Sequence, residues 1–197
     1  MPDDLILICT EGDPSIPEYR ANSRWPIEIV PADSRLGDIF NLTIKNHPEE
    51  RFYGWLGDDM EPITPGWHKS VSDAAGLTKI AYPNDQRTFP AFRAIAALGG
   101  DLIRAMGQMA PGGIKHNYLD NLLETIGLTF DLMVPLKDVI VLHHHPFFDP
   151  SIPFDATYVR GSSDMDADRV RYEAWMASMD RVKMNARIRS MLEKKAA

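Results

Sequence analysis

Apolar residues recur along this chain in two rhythms. Short apolar runs at Leu5–Cys9, Ile27–Val30, Phe52–Leu56, Thr78–Tyr82, Leu128–Val134 and Val139–Leu142 have the length of buried strands. Between them the spacing turns helical. Ile39, Phe40 and Ile44 mark a helix running to Lys45, and a second helix spans Trp67–Ala75, with Thr64 offering the N-cap hydroxyl, Pro65 at the first helical position and Gly76 as the stop. Gly100–Met106 reads as a short helix. Asn117–Ile126 reads as a clearer one, closed by Gly127, and its stripe of Leu119, Leu122, Leu123 and Ile126 leaves Asp120 about 100° off the apolar centre. From Asp166 onward the tail is helical, with Val170, Tyr172, Trp175, Met176, Met179 and Val182 as its apolar face and a basic end. Loops are expected at Thr10–Pro17, Ala110–Gly113 and Phe147–Ser163. Alternating strands and helices predict an α/β fold.

Polar residues collect where the predicted strands end. Asp58 and Asp59 follow Phe52–Leu56, Glu11 and Asp13 follow the first strand, Pro83-Asn84-Asp85 follows Thr78–Tyr82, and His143-His144-His145-Pro146 follows the last. In an open α/β sheet these ends face the ligand crevice, where hard oxygen donors suit Mg²⁺ or Mn²⁺ with a phosphate-bearing substrate. Along an extended chain His143 and His145 point the same way. Taken singly, each cluster also reads as a solvated turn.

Composition narrows the classes. The chain has 197 residues, enough for one domain with a sizeable core, and its net charge of −7 argues against general affinity for nucleic-acid phosphates. Cys9 is the only cysteine, so neither an internal disulfide nor a cysteine-rich zinc site is available, and a reducing compartment is expected. The opening MPDDLILICTEGD has an apolar run too short for a signal peptide or a membrane span, so a cytoplasmic protein without a membrane partner is expected.

Five ordered motifs carry more than periodicity: GDDMEPITPGW, IAYPND, GGIKHNYLDN, VIVLHHHPFF and FDATY. Their succession resembles the nucleotide-sugar glycosyltransferases of the A-type fold, and more closely the family-2-like transferases of bacteriophage genomes. The resemblance covers roughly Leu5 to Trp175. It implies a three-layer α/β sandwich around a central, mostly parallel, Rossmann-like sheet over residues 1–163, with a C-terminal helical extension over 164–197 packed on the domain or on a partner. One departure stands out. The family opens with a strand, a nucleotide-binding turn and a helix before its acidic strand end, and here TEGDPSIPEY already matches that second strand, which implies an N-terminal edge truncated by that unit. An uncovered strand edge invites pairing with a second copy, so a homo-oligomer is expected.

The resemblance implies a metal-dependent transfer of a hexosyl or pentosyl group from a nucleotide-diphosphate sugar, a UDP-sugar above all, with inversion. The acceptor could be a protein, a glycan or a modified DNA base, in the host cytoplasm if the chain is phage-encoded. Asp59 matches the last acid of the DxD-like turn, and His143, with His145 on the same face, matches the histidine that returns to the metal, Mn²⁺ or Mg²⁺. Asp120 falls where the catalytic base stands. Glu11, Asp13, Arg35, Asn41, Asp58 and Asp85 would bind the donor, and His116 and Tyr118 would line the sugar or acceptor pocket, with Arg87–Leu98 and Phe147–Ser163 building its walls. Trp67 and Trp175 are expected in the core. Two other readings stand beside this one: a non-catalytic glycosyltransferase-like interaction module that has lost its nucleotide-binding unit, and a metallophosphoesterase, for which an early Asp-x-His pair and a Gly-Asn-His segment are missing.

Overall fold

The computed structural model describes residues 5–91, 96–154 and 156–196, so Asp155 of the FDATY motif and residues 92–95 of the expected pocket wall lie outside the described residues. The fold is α/β. Strands β1 (Leu7–Thr10) and β2 (Ile27–Val30), joined through α1 (Ile16–Asn22), pair in parallel as a two-stranded sheet. After α2 (Leu36–Asn46), β3 (Phe52–Gly54), β4 (Met60–Pro62), β5 (Ile80–Asn84), β6 (Ala97–Gly99) and β7 (Met133–His143) form a second sheet in the order β3-β6-β5-β7-β4.

This sheet is mixed, which corrects the expected mostly parallel one: β5 and β7 run parallel, while β3–β6, β5–β6 and β4–β7 are antiparallel. The parallel pair, β5–β7, is separated by β6, α4 (Gly100–Met106) and α5 (Leu119–Thr129), the long crossover that parallel neighbours need, while β5 returns directly into β6 and pairs with it antiparallel.

Alternation along β5 sorts the core into two layers. Ile80 and Tyr82 join Leu98, Leu102, Leu122 and Ile126 in the large cluster, whereas Ala81 faces Val71 and Ala75 of α3 (Trp67–Ala75) together with Ala97 and Val139. The tail belongs to the large cluster. Trp175 of α7 (Met165–Met176) and Met184 and Ile188 of α8 (Met179–Ala196) are buried in it, and Trp67 packs half-buried on the α3 side.

Four expectations of detail are corrected. The tail's apolar face is not continuous: Val170, Met179 and Val182 are more than half exposed, because the chain breaks between α7 and α8 and a stripe counted through the break loses phase. Gly127 does not end α5. It lies inside the helix, where a Cβ would stand 2.0 Å from Met133 Sδ and 3.3 Å from Ile80 Cδ1, so the missing side chain lets the helix approach the sheet. Thr64 does not cap α3, which starts from Gly66 in the left-handed region. The Thr64 hydroxyl accepts the Ile140 N–H at 2.8 Å instead, tying the approach to α3 onto β7. Finally, the expected Phe147–Ser163 loop contains a helix, α6 (Ala156–Ser163).

Gly37 shows how closely α2 meets the segment before α5. Its N–H donates to Lys115 O at 2.7 Å, and a Cβ there would lie 2.1 Å from Ile114 O. The obstacle is backbone and cannot rotate away, so Gly37→Ala is expected to cost about 3 kcal/mol, the upper end for overpacking, measured as a shift of the urea midpoint.

Candidate functional site

The turn between β3 and β4 presents Asp59, and the antiparallel pairing of β4 with β7 sets Met60 opposite His143. Two side chains 84 residues apart meet as a result: His143 Nε2 lies 3.2 Å from Asp59 Oδ2. A backbone bond from His144 N–H to Asp59 O at 2.8 Å fixes the register beside them. Gly57 lies close beside the carboxylate: a Cβ there would come within 2.6 Å of Asp59 Oδ1 and displace that side chain. Burial pushes the Asp59 pKa up, but the hydrogen bond to His143, the charge of that imidazole and the Tyr158 hydroxyl outweigh it, and the carboxyl stays below its ordinary value.

Tyr158 arrives from α6. Its hydroxyl donates to Asp59 Oδ2 at 3.0 Å, and its ring lies 4.8 Å from His145, edge to face. His145 accepts the Phe147 N–H on Nδ1 at 3.1 Å, which leaves Nε2 as the nitrogen free to carry its proton. Burial, reinforced by the neighbouring His143, pushes the His145 pKa down against the pull of Asp59. Asp58 is exposed beside the pair, and His144 pairs with Glu61 at 2.8 Å on the outer side.

Helix α6 ties several candidate residues together. Besides Tyr158 on Asp59, the Arg160 guanidinium donates to Ala32 O at 3.3 Å, Gly161 O accepts the Asn117 amide at 2.9 Å, and Asp164, just past the helix, stands 3.0 Å from Arg35 Nε as an ion pair. His116 packs its ring on Gly161, and the lost hydration lowers its pKa although Asp164 and Asp168 pull it up.

The segment that carries His116, Tyr118 and Asp120 is held by one carboxylate. Asp168 of α7, with no exposed surface, accepts the backbone N–H groups of Lys115, His116 and Asn117 at 2.9, 2.8 and 2.9 Å and the Arg171 guanidinium at 2.8 Å. Lys115 is also anchored through its ammonium to Asp38 at 2.7 Å. Tyr118 then enters the left-handed region (φ 65°), stacks on Tyr172 with ring centroids 5.4 Å apart, and passes the chain to α5, whose first turn holds Asp120 half-buried.

The remaining sequence-selected residues have local duties. Asn41 spends its amide on Ala110 O and accepts the N–H groups of Met109 and Ala110. Asp85 accepts three N–H groups of its own loop, from Arg87, Thr88 and Phe89, and the Thr88 hydroxyl. Asp13 accepts the Ser15 N–H at the start of α1, and Glu11 is exposed in the preceding turn. Tyr158 stands in the FDATY motif, but no local spacing marks its contact with Asp59, nor the contacts of Arg160, Asp164 and Asp168.

No family model, curated protein or solved structure matches the chain.

The donor chemistry fits a hard or borderline divalent cation. Two donors each about 2.1 Å from one ion at right angles stand about 3.0 Å apart, close to the separation between Asp59 Oδ2 and His143 Nε2. Among the described residues no group of three His, Cys, Asp or Glu side chains gathers around a common point, so the pair offers two protein donors and the rest of a shell would have to come from elsewhere.

Proposed function

We propose that the chain is a metal-dependent glycosyltransferase that moves a sugar from a nucleotide-diphosphate donor, a UDP-sugar above all, to an acceptor hydroxyl with inversion. The observation that supports this reading is the approach of Asp59 to His143, two residues chosen from separate motifs and carried on opposite sides of the β4–β7 pair. Asp59 and His143 would hold Mn²⁺ or Mg²⁺. Bound there, the ion would neutralise the charge that grows on the departing diphosphate. The Tyr158 hydroxyl keeps Asp59 oriented through Oδ2. Asp120 takes the proton of the acceptor hydroxyl while its oxygen bonds to the anomeric carbon and the bond from that carbon to the diphosphate oxygen breaks. Asp168 fixes residues 115–117, the backbone that leads into the α5 turn carrying Asp120.

A melting-temperature panel of UDP, GDP, dTDP and CDP, each with and without Mn²⁺, tests the reading. A diphosphate that binds should stabilise the fold by about 2.7 kcal/mol at a hundredfold excess over its Kd, and only when Mn²⁺ is present. No shift with any of them would favour the non-catalytic module. The engagement of Asn41 and Asp85 in internal hydrogen bonds already agrees with that second reading.

A further inference from the structure

Beside Asp59 the chain leaves a wall of aromatic rings open to water. Phe147 is 83% exposed and Phe154 57% exposed. They are not scattered: Phe147 lies 5.5 Å from Phe148, Phe148 lies 6.1 Å from His145, and Phe154 stacks on Tyr158 at 5.7 Å with 28° between the planes. The wall joins the candidate site directly, because the same Tyr158 that supports Phe154 bonds Asp59. Phe148, His145 and Tyr158 are half-buried and link the two exposed rings through a run of ring contacts, an apolar patch of the kind that marks a binding surface.

The chemistry along the edge narrows the ligand. Asp58 and Glu61 are exposed carboxylates and Asp149 is half-buried, accepting the Ser151 N–H and hydroxyl; Arg87 is set against them, its guanidinium 6.0 Å from the Phe148 ring. A single-stranded nucleic acid would stack on such rings but needs a cationic groove for its phosphates, and here the acids prevail. A pyranose has the complementary form. One face is made of C–H groups that suit a flat ring, and its rim of hydroxyls suits carboxylates, imidazole and phenol.

We infer that the wall of Phe147, Phe148, Phe154 and Tyr158 is the acceptor subsite and binds the apolar face of a neutral sugar ring, so that the acceptor is a glycan. This rests on the transferase reading for the word acceptor, and on the wall alone for sugar binding. The test is affinity electrophoresis of the full chain through gels containing soluble starch, laminarin, mannan, hydroxyethyl cellulose or glycol chitin, with oligo(dT) mobility shift in parallel. At least one polysaccharide should retard the protein. Phe147→Ala and Phe154→Ala should each weaken that retardation about tenfold without changing the ligand-free melting temperature. Absence of retardation by every polysaccharide, retardation of both variants as strong as that of the wild type, or a shift with oligo(dT) instead would overturn the inference. Retardation that persists in a protein showing no Mn²⁺-dependent nucleotide binding would uphold the sugar site and overturn the transferase reading alone.

Discussion

Asp168→Ala is expected to lose about 3–5 kcal/mol of folding stability, the largest effect of any single substitution considered for this chain. The carboxylate is fully buried and is the common acceptor of three backbone N–H groups and one guanidinium. Removing it strands donors that water reaches poorly, and Arg171 loses its partner at the same time. Against a total stability of about 5–15 kcal/mol, urea unfolding at neutral pH will resolve such a loss easily. The sign of the pH dependence follows from the same contacts. Burial alone would raise the Asp168 pKa, but the bonds from Lys115, His116, Arg171 and Asn117 outweigh it and the folded value is lowered. Its stabilising effect is therefore complete above the unfolded value of about 3.9 and disappears as pH falls through the folded one. The gap between wild type and Asp168→Ala should narrow in acid. Equal stabilities at neutral pH would remove Asp168 from its role as the anchor of the 115–117 segment.

Asp59→Ala is expected to act in the opposite way, sparing the fold and removing binding. Asp59 lies at the surface end of β4 with a fifth of its side chain exposed, and the groups it leaves behind, His143 Nε2 and the Tyr158 hydroxyl, can turn to water. The melting temperature should change little. Affinity for UDP with Mn²⁺ should fall by at least about a hundredfold, the upper end of what even an outer partner of a metal ligand contributes. A calorimetric titration in which the variant binds like the wild type would take Asp59 out of the site. Asp120→Asn provides the contrast: donor affinity should hold while transfer stops, because the base meets the acceptor and not the diphosphate.

Some of this molecule can be read directly from the chain. Ile27–Val30 and Gly100–Met106 fall at their expected bounds and α3 stops at Gly76 as expected, though it starts two residues after Pro65, since apolar runs and helix stops act locally. Where an element depends on distant partners the pattern fails. Helix α6 lies in a stretch rich in proline and phenylalanine, and its partners Asp59, Ala32 and Asn117 are remote in sequence. Strand β7 reads as two segments because Lys137 and Asp138 interrupt its apolar run, at the point where the pairing with β5 slips between Pro83 and Asn84. The site divides in the same way. Motifs single out Asp59 and His143, whose side chains meet, whereas periodicity alone leaves both in solvated turns. Asp168 carries no local mark at all, because a buried carboxylate inside a charged helix is distinguished only by the backbone that comes to meet it.

The most direct test of the central claim is the free Mn²⁺ signal in electron paramagnetic resonance, recorded on wild type and His143→Ala with and without UDP. If Asp59 and His143 hold a metal diphosphate, wild type with UDP will quench the six-line spectrum at concentrations where UDP alone does not, and His143→Ala will restore most of it. A spectrum unchanged by the wild-type protein, or quenched equally by the variant, would contradict the account.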